Sequence, residues 1–134
     1  MKIAVGTDDK KTIRRGHFGG SQYYLIYEIL NGEIFSNQIR ENPYTANKSH
    51  EHGQAKKIVE LLHDCQIFMG RSMGAKSLRQ IAEKNIEVII TSINDAEDAV
   101  NFYLDSKDEY FRYYNLEKKK FCECSSRWDM FSEN

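Results

Sequence analysis

The sequence predicts a three-layer α/β/α fold around a five-stranded mixed sheet of strand order 3-2-1-4-5. Three observations carry that expectation. The chain opens on an unbroken apolar segment, Ile3-Ala4-Val5-Gly6, of the kind that sits at a sheet centre with both faces covered. Asn31-Gly32 then separates two strand-like runs and supplies the two positive-φ residues a tight hairpin needs. From Gly53 onward, apolar residues alternate between helical and strand spacing, which builds strand–helix–strand units.

Each element follows from its own residues. Gln22 to Leu30, dense in Tyr, Leu and Ile, reads as a strand covered on both faces, whereas Glu33 to Glu41 carries Ser36, Asn37, Gln38 and Arg40 and belongs at an edge. The sole proline, Pro43, ends that strand and opens a polar loop, Tyr44 to Glu51. Ala55, Ile58, Val59 and Leu62 mark an amphipathic helix packed on the sheet. Gln66 to Gly70 is a short buried strand, Ala75, Leu78 and Ala82 mark a second helix, and Glu87 to Ile93 is a further strand. Asn94, with Glu97 three residues on, is an N-cap pattern for a third helix carrying Ala96, Ala99, Val100 and Tyr103, and Asp95, Glu97 and Asp98 complement its dipole. The hairpin makes the first three strands antiparallel, and right-handed helical crossovers make the last two parallel to the first.

Composition narrows the class. At 134 residues the chain is expected to form one domain over residues 1–105, with 106–134 as a C-terminal extension of that domain. A formal charge of -1 and a pI near 6.4 give no basic field, so no nucleic-acid partner is expected. No run of about twenty apolar residues and no charged-then-apolar leader is visible, so the expectation is no membrane association and a cytoplasmic chain. Three unevenly spread cysteines make no disulfide framework and read as thiols, Cys65 in the core.

In a sheet of this order the chain leaves strands one and four in opposite directions, and ligands bind in the crevice at their carboxyl ends. Two loops meet there, Thr7 to Gly20 and Gly70 to Ser77. The first ends in His17-Phe18-Gly19-Gly20, where an imidazole that ligates metals stands beside glycines that admit a guest close to the backbone. The plainer reading has Phe18 anchoring the loop and His17 solvated. The second loop places backbone N–H groups, the Ser72 hydroxyl and the cations Arg71 and Lys76 around Gly74 at a helix start, which is an anion site. Arg14 and Arg15 add charge from the first loop. Taken singly, Arg71 and Lys76 read as ordinary surface, and their placement at the switch point is what raises them.

Two further readings compete. Asp8 and Asp9 after the first strand suit a two-metal nuclease, with Glu60 available on a helix, yet Phe68-Met69-Gly70-Arg71 offers no carboxylate at the end of the fourth strand. A module for a small organic anion would use the same cations and amides. In the tail, Tyr110, Phe111, Tyr113, Tyr114 and Leu116 precede Lys118-Lys119-Lys120, Cys122-Glu123-Cys124 and Trp128. Either the aromatics cover an edge or helix and the cysteines are incidental, or the thiols contact one soft metal with fewer ligands than tetrahedral zinc requires.

The opening Met1-Lys2-Ile3-Ala4-Val5 into Thr7-Asp8-Asp9, His17-Phe18-Gly19, Tyr24-Leu25-Ile26-Tyr27-Glu28, Glu41-Asn42-Pro43, His52-Gly53 and Met73-Gly74-Ala75-Lys76-Ser77-Leu78 together resemble the dinitrogenase iron-molybdenum cofactor biosynthesis family. That family includes NifX, the carboxy-terminal part of some NifB proteins, and small stand-alone domains. The resemblance covers roughly Met1 to Leu104. It implies a ribonuclease-H-like three-layer fold and non-catalytic carriage of an iron-sulfur or molybdenum-iron-sulfur type cluster between donor and acceptor proteins. The expected binding residues are His17, Phe18, Gly19, Arg71, Ser72, Gly74 and Lys76, with His17 the one metal ligand. Three features depart from the family pattern: Arg71-Ser72 stands where many relatives have a glycine pair, Arg14-Arg15-Gly16 lengthens the approach to His17, and the tail from Ser106 exceeds the usual length.

Overall fold

A computed structural model describes residues 1–45 and 54–123. The strands are β1 (Lys2–Thr7), β2 (Tyr23–Leu30), β3 (Glu33–Glu41), β4 (Ile67–Gly70), β5 (Glu87–Thr91), β6 (Phe111–Asn115) and β7 (Lys120–Cys122). The helices are α1 (Gln54–Leu61), α2 (Ala75–Ala82) and α3 (Ala96–Leu104). No helix among the described residues is long and apolar enough to cross a membrane.

Among the described residues all strands join one seven-stranded sheet of order β3-β2-β1-β4-β5-β6-β7. The expected order 3-2-1-4-5 is its first part, with β1, β4 and β5 parallel, β2 antiparallel to β1, and β3 antiparallel to β2. The strand count of five was wrong. β6 pairs antiparallel with β5, and β7 pairs antiparallel with β6. Their signal was a period of two within the tail's aromatic run: Phe111 and Tyr113 are buried on one face while Arg112 between them is exposed. Of the two expected places for these aromatics, an edge or a helix, the structure has the edge: they extend the sheet beyond β5 as a strand of their own.

Alternate residues of the central strands face opposite layers. Ile3, Val5, Leu25, Tyr27, Ile67, Met69 and Ile89 pack against Ala96, Ala99 and Val100 of α3, and Phe111 and Tyr113 complete that core. Ala4, Tyr24, Ile26, Phe68 and Val88 pack instead against Ile58 of α1, Leu62, and Leu78 and Ile81 of α2. The helices therefore lie on both faces. This is why β1, β2, β4 and β5 are apolar without alternation.

Strand ends differ from expectation by a residue or two, and at two boundaries a side chain gives the reason. Asp95, not Asn94, caps α3, its carboxylate accepting from Asp98 N at 2.9 Å. Asn94 is used otherwise: its carbonyl accepts Ile13 N at 2.8 Å and its side chain meets Arg71. β5 stops at Thr91 rather than Ile93, because the Thr91 hydroxyl turns to donate to Tyr110 O at 2.7 Å and accepts Ile93 N. β3 is the predicted edge strand, and Asp64 ties it down by accepting from both Arg40 and Lys2. His52, Gly53, most of the Tyr44 to Glu51 loop, Cys124 and Trp128 lie outside the described residues.

Candidate functional site

The first loop is built by its own polar side chains. The buried Thr7 hydroxyl donates to Thr12 O at 2.6 Å, and Asp9 accepts Lys11 N, Thr12 N and the Thr12 hydroxyl at 2.9, 2.7 and 2.6 Å. These donors, the Thr12 hydroxyl foremost, hold the Asp9 carboxyl well below the usual carboxylate range. Asp8 pairs with Arg14 at 2.7 Å and accepts Gln22 N at 3.0 Å. Both aspartates that suggested a nuclease are thus engaged in shaping the loop. Ile13 is buried, and Arg14 N and Ala96 N bond to Gly6 O and Lys11 O, which pins the loop to β1 and to the start of α3.

The next turn is held from below. Phe18 is 1% exposed, stacked on Phe68 with ring centroids 5.0 Å apart and tilted against Tyr24 at 4.8 Å. Its carbonyl accepts from the buried Tyr24 hydroxyl and the Ser21 hydroxyl, each at 2.8 Å. The buried Asn42 amide donates to Ser21 O at 2.8 Å and to Gly19 O at 3.4 Å. Two glycines let the backbone pack closely here: a Cβ on Gly70 would press Phe18 at 3.3 Å, and one on Gly6 would collide with Ser21 Oγ. Phe18, expected among ligand-binding residues, is therefore the wedge under the site rather than part of its surface. Tyr24 and Asn42 are the supporting residues that sequence reasoning missed. The available signal was an amide beside the only proline at the end of a strand.

Besides Gly70 beneath Phe18, the second loop meets the first at Ser72. Ser72 O accepts Phe18 N at 2.9 Å, and Ser72 Oγ lies 3.0 Å from Nδ1 of the exposed His17. Arg71 donates from one terminal nitrogen to Asn94 Oδ1 at 2.8 Å, while its buried Nε has no hydrogen-bond partner. Gly74 is the extended N-cap of α2 and supplies no side-chain cap. Lys76 is turned away: it shares a shallow depression on the outer surface of α2 with Arg79, Gln80 and Glu83. A separate open groove of about 480 Å³ runs beside the crevice, lined by Asp8, Asp9, Thr12, Ile13, Arg14, Arg15, Gly16 and Asn94.

Of the residues expected to bind, the structure thus brings His17 and Ser72 into contact, joins Arg71 to the groove through Asn94, and leaves Gly19 half-exposed on the turn. Neither loop contains a cysteine; Cys65 is buried beside α1, its thiol pushed up to about 12 by that burial, and Cys122 is on β7. Among the described residues no group of three or more His, Cys, Asp or Glu could hold a metal ion.

These features define a small α/β domain whose two switch-point loops close on each other to present one imidazole among guanidinium groups. The chain belongs to the dinitrogenase iron-molybdenum cofactor family, whose model matches residues 1–106. Over 113 residues it is 27% identical to the uncharacterized protein MJ0580 of Methanocaldococcus jannaschii, an alignment covering 83% of this chain and 92% of that protein. Among solved structures, PH0822 superposes with a TM-score of 0.67 at 19% identity, covering 90% of this chain and all (100%) of that one. A candidate dinitrogenase of M. jannaschii, mj0327, gives 0.61 at 20% identity over 80% of this chain and 90% of its own. A candidate NifB protein from Thermotoga, TM1290, gives 0.60 at 15% identity over 79% and 89%. β6 and β7 lie beyond the matched family region.

Proposed function

We propose that this protein is a non-catalytic carrier in the cytoplasm that takes an anionic metal-sulfur cluster, or its precursor, from a donor protein and passes it to an acceptor. The cluster is cargo, and the α/β/α domain that holds it is read as ribonuclease-H-like. The observation that carries the proposal is the meeting of His17 with the Arg71-Ser72 loop in a chain of this family. His17 is exposed and supplies a nitrogen lone pair for one metal position of a cluster; nearby cations act on its overall negative charge. Arg71 is held at Asn94 on the rim of the groove, and Arg15 stands exposed on the groove. A single coordinating side chain suits capture followed by release.

The engagement of Asp8 and Asp9 within their own loop favours this over a nuclease. The test is anaerobic incubation of purified protein with iron, molybdate and sulfide, followed by gel filtration and absorption spectroscopy. A charge-transfer band co-eluting with the protein is expected. A protein fraction without that band, but retaining a small organic anion or cleaving RNA with magnesium, would replace the proposal.

A further inference from the structure

Resting on the carrier reading, we infer that Ser72 is a positioning residue that aims Nε2 of His17 at the cargo by holding Nδ1. Ser72 Oγ lies 3.0 Å from Nδ1, so the ring is gripped at one nitrogen and presents the other. Coordination at Nε2 uses that nitrogen's lone pair, which leaves the neutral ring's single proton on Nδ1. Ser72 Oγ accepts that proton in a hydrogen bond, so the contact persists in the loaded state. A partner of this kind fixes ring orientation and raises the basicity of the coordinating nitrogen.

The geometry separates this role from a structural one. Ser72 joins the two loops through its backbone, its carbonyl accepting Phe18 N at 2.9 Å. Phe18 holds the turn from inside the core. Removing the Ser72 hydroxyl therefore leaves both attachments of the loop in place and frees only the imidazole. His17 is exposed, and the Ser72 hydroxyl is the side-chain contact the structure gives its ring.

The experiment compares wild type, Ser72→Ala, Ser72→Thr, His17→Ala and the His17→Ala/Ser72→Ala double variant. Each is titrated anaerobically with iron and sulfide, and the ring nitrogen-15 shifts of His17 are read in the cargo-free proteins. Ser72→Ala is expected to weaken cluster retention about tenfold or more. Ser72→Thr, which keeps a hydroxyl, should restore it, and in the His17→Ala background loss of the hydroxyl should add nothing. The His17 ring shifts should move in Ser72→Ala and return in Ser72→Thr. Wild-type retention in Ser72→Ala, failure of threonine to rescue, or an equal loss without His17 would each overturn the inference. If wild type itself retains no cluster, the carrier reading falls, and the ring shifts alone decide: shifts unchanged in Ser72→Ala refute the positioning role.

Discussion

Replacing Phe18 by alanine should unfold the protein more readily than any other single truncation in either crevice loop. The ring is 1% exposed, stacked on Phe68 at 5.0 Å and tilted on Tyr24 at 4.8 Å, with Gly70 backbone against its base. Deleting a buried phenylalanine costs about 3–5 kcal/mol, of which roughly 0.5–1.5 is the loss of an aromatic pair beyond its buried area. Partial collapse would lower the cost, but here it is resisted: Phe18 O stays bonded to Tyr24 and Ser21, and Asn42 holds the following carbonyls. The cavity therefore persists, and the upper half of the range applies. With a urea slope of about 1–3 kcal/mol per molar, the midpoint should fall by roughly 2 M, and Tm by about 10–20 °C. Urea melts followed by circular dichroism measure this, with His17→Ala as the control within about 0.5 kcal/mol of wild type. A loss below about 1 kcal/mol for Phe18→Ala would show that the ring does not pin the loop, and the account of how His17 is placed would fail.

Three other outcomes are expected. His17→Ala should weaken cluster retention more than Arg71→Ala, and only the Arg71 effect should shrink as salt is raised, since a charge is screened and a coordinate bond is not; equal retention by wild type and His17→Ala at both salts would reduce His17 to a solvated loop residue. A chain ending at Ser106 loses Phe111 and Tyr113, 1% and 2% exposed, and two such side chains at about 3–5 kcal/mol each approach the whole stability of a small domain; soluble, cooperatively melting truncated protein would contradict the place given to β6. Because the folded Asp9 carboxyl sits below its unfolded value near 3.9, its contribution is present above about pH 4 and is lost as pH falls toward the folded value; urea midpoints between pH 2 and 5 should therefore drop less steeply for Asp9→Asn than for wild type.

The order of the first five strands, the β2–β3 hairpin with its Asn31-Gly32 turn, and the three helices were legible in the sequence because each is written in local spacing: an apolar run, a turn pair, a helical period. Handed crossovers then carry local elements to a sheet order without further information. Lys76 was legible too, though it was misread: Leu78 and Ile81 set the buried stripe of α2, and a residue two positions before Leu78 lies on the opposite side of the helix. Only the tertiary structure decided that His17 meets Ser72, that Arg71 meets Asn94, and that Tyr24 and Asn42 carry the turn between Phe18 and Ser21. Those partners are separated in sequence by up to 55 residues, and whether they touch depends on the exit angles of packed strands, which no local pattern encodes. The same holds for β6: its aromatics are visible in the chain, but a strand exists only through its hydrogen-bonding neighbour, and β5 becomes that neighbour when α3 has returned the chain to the sheet's open edge.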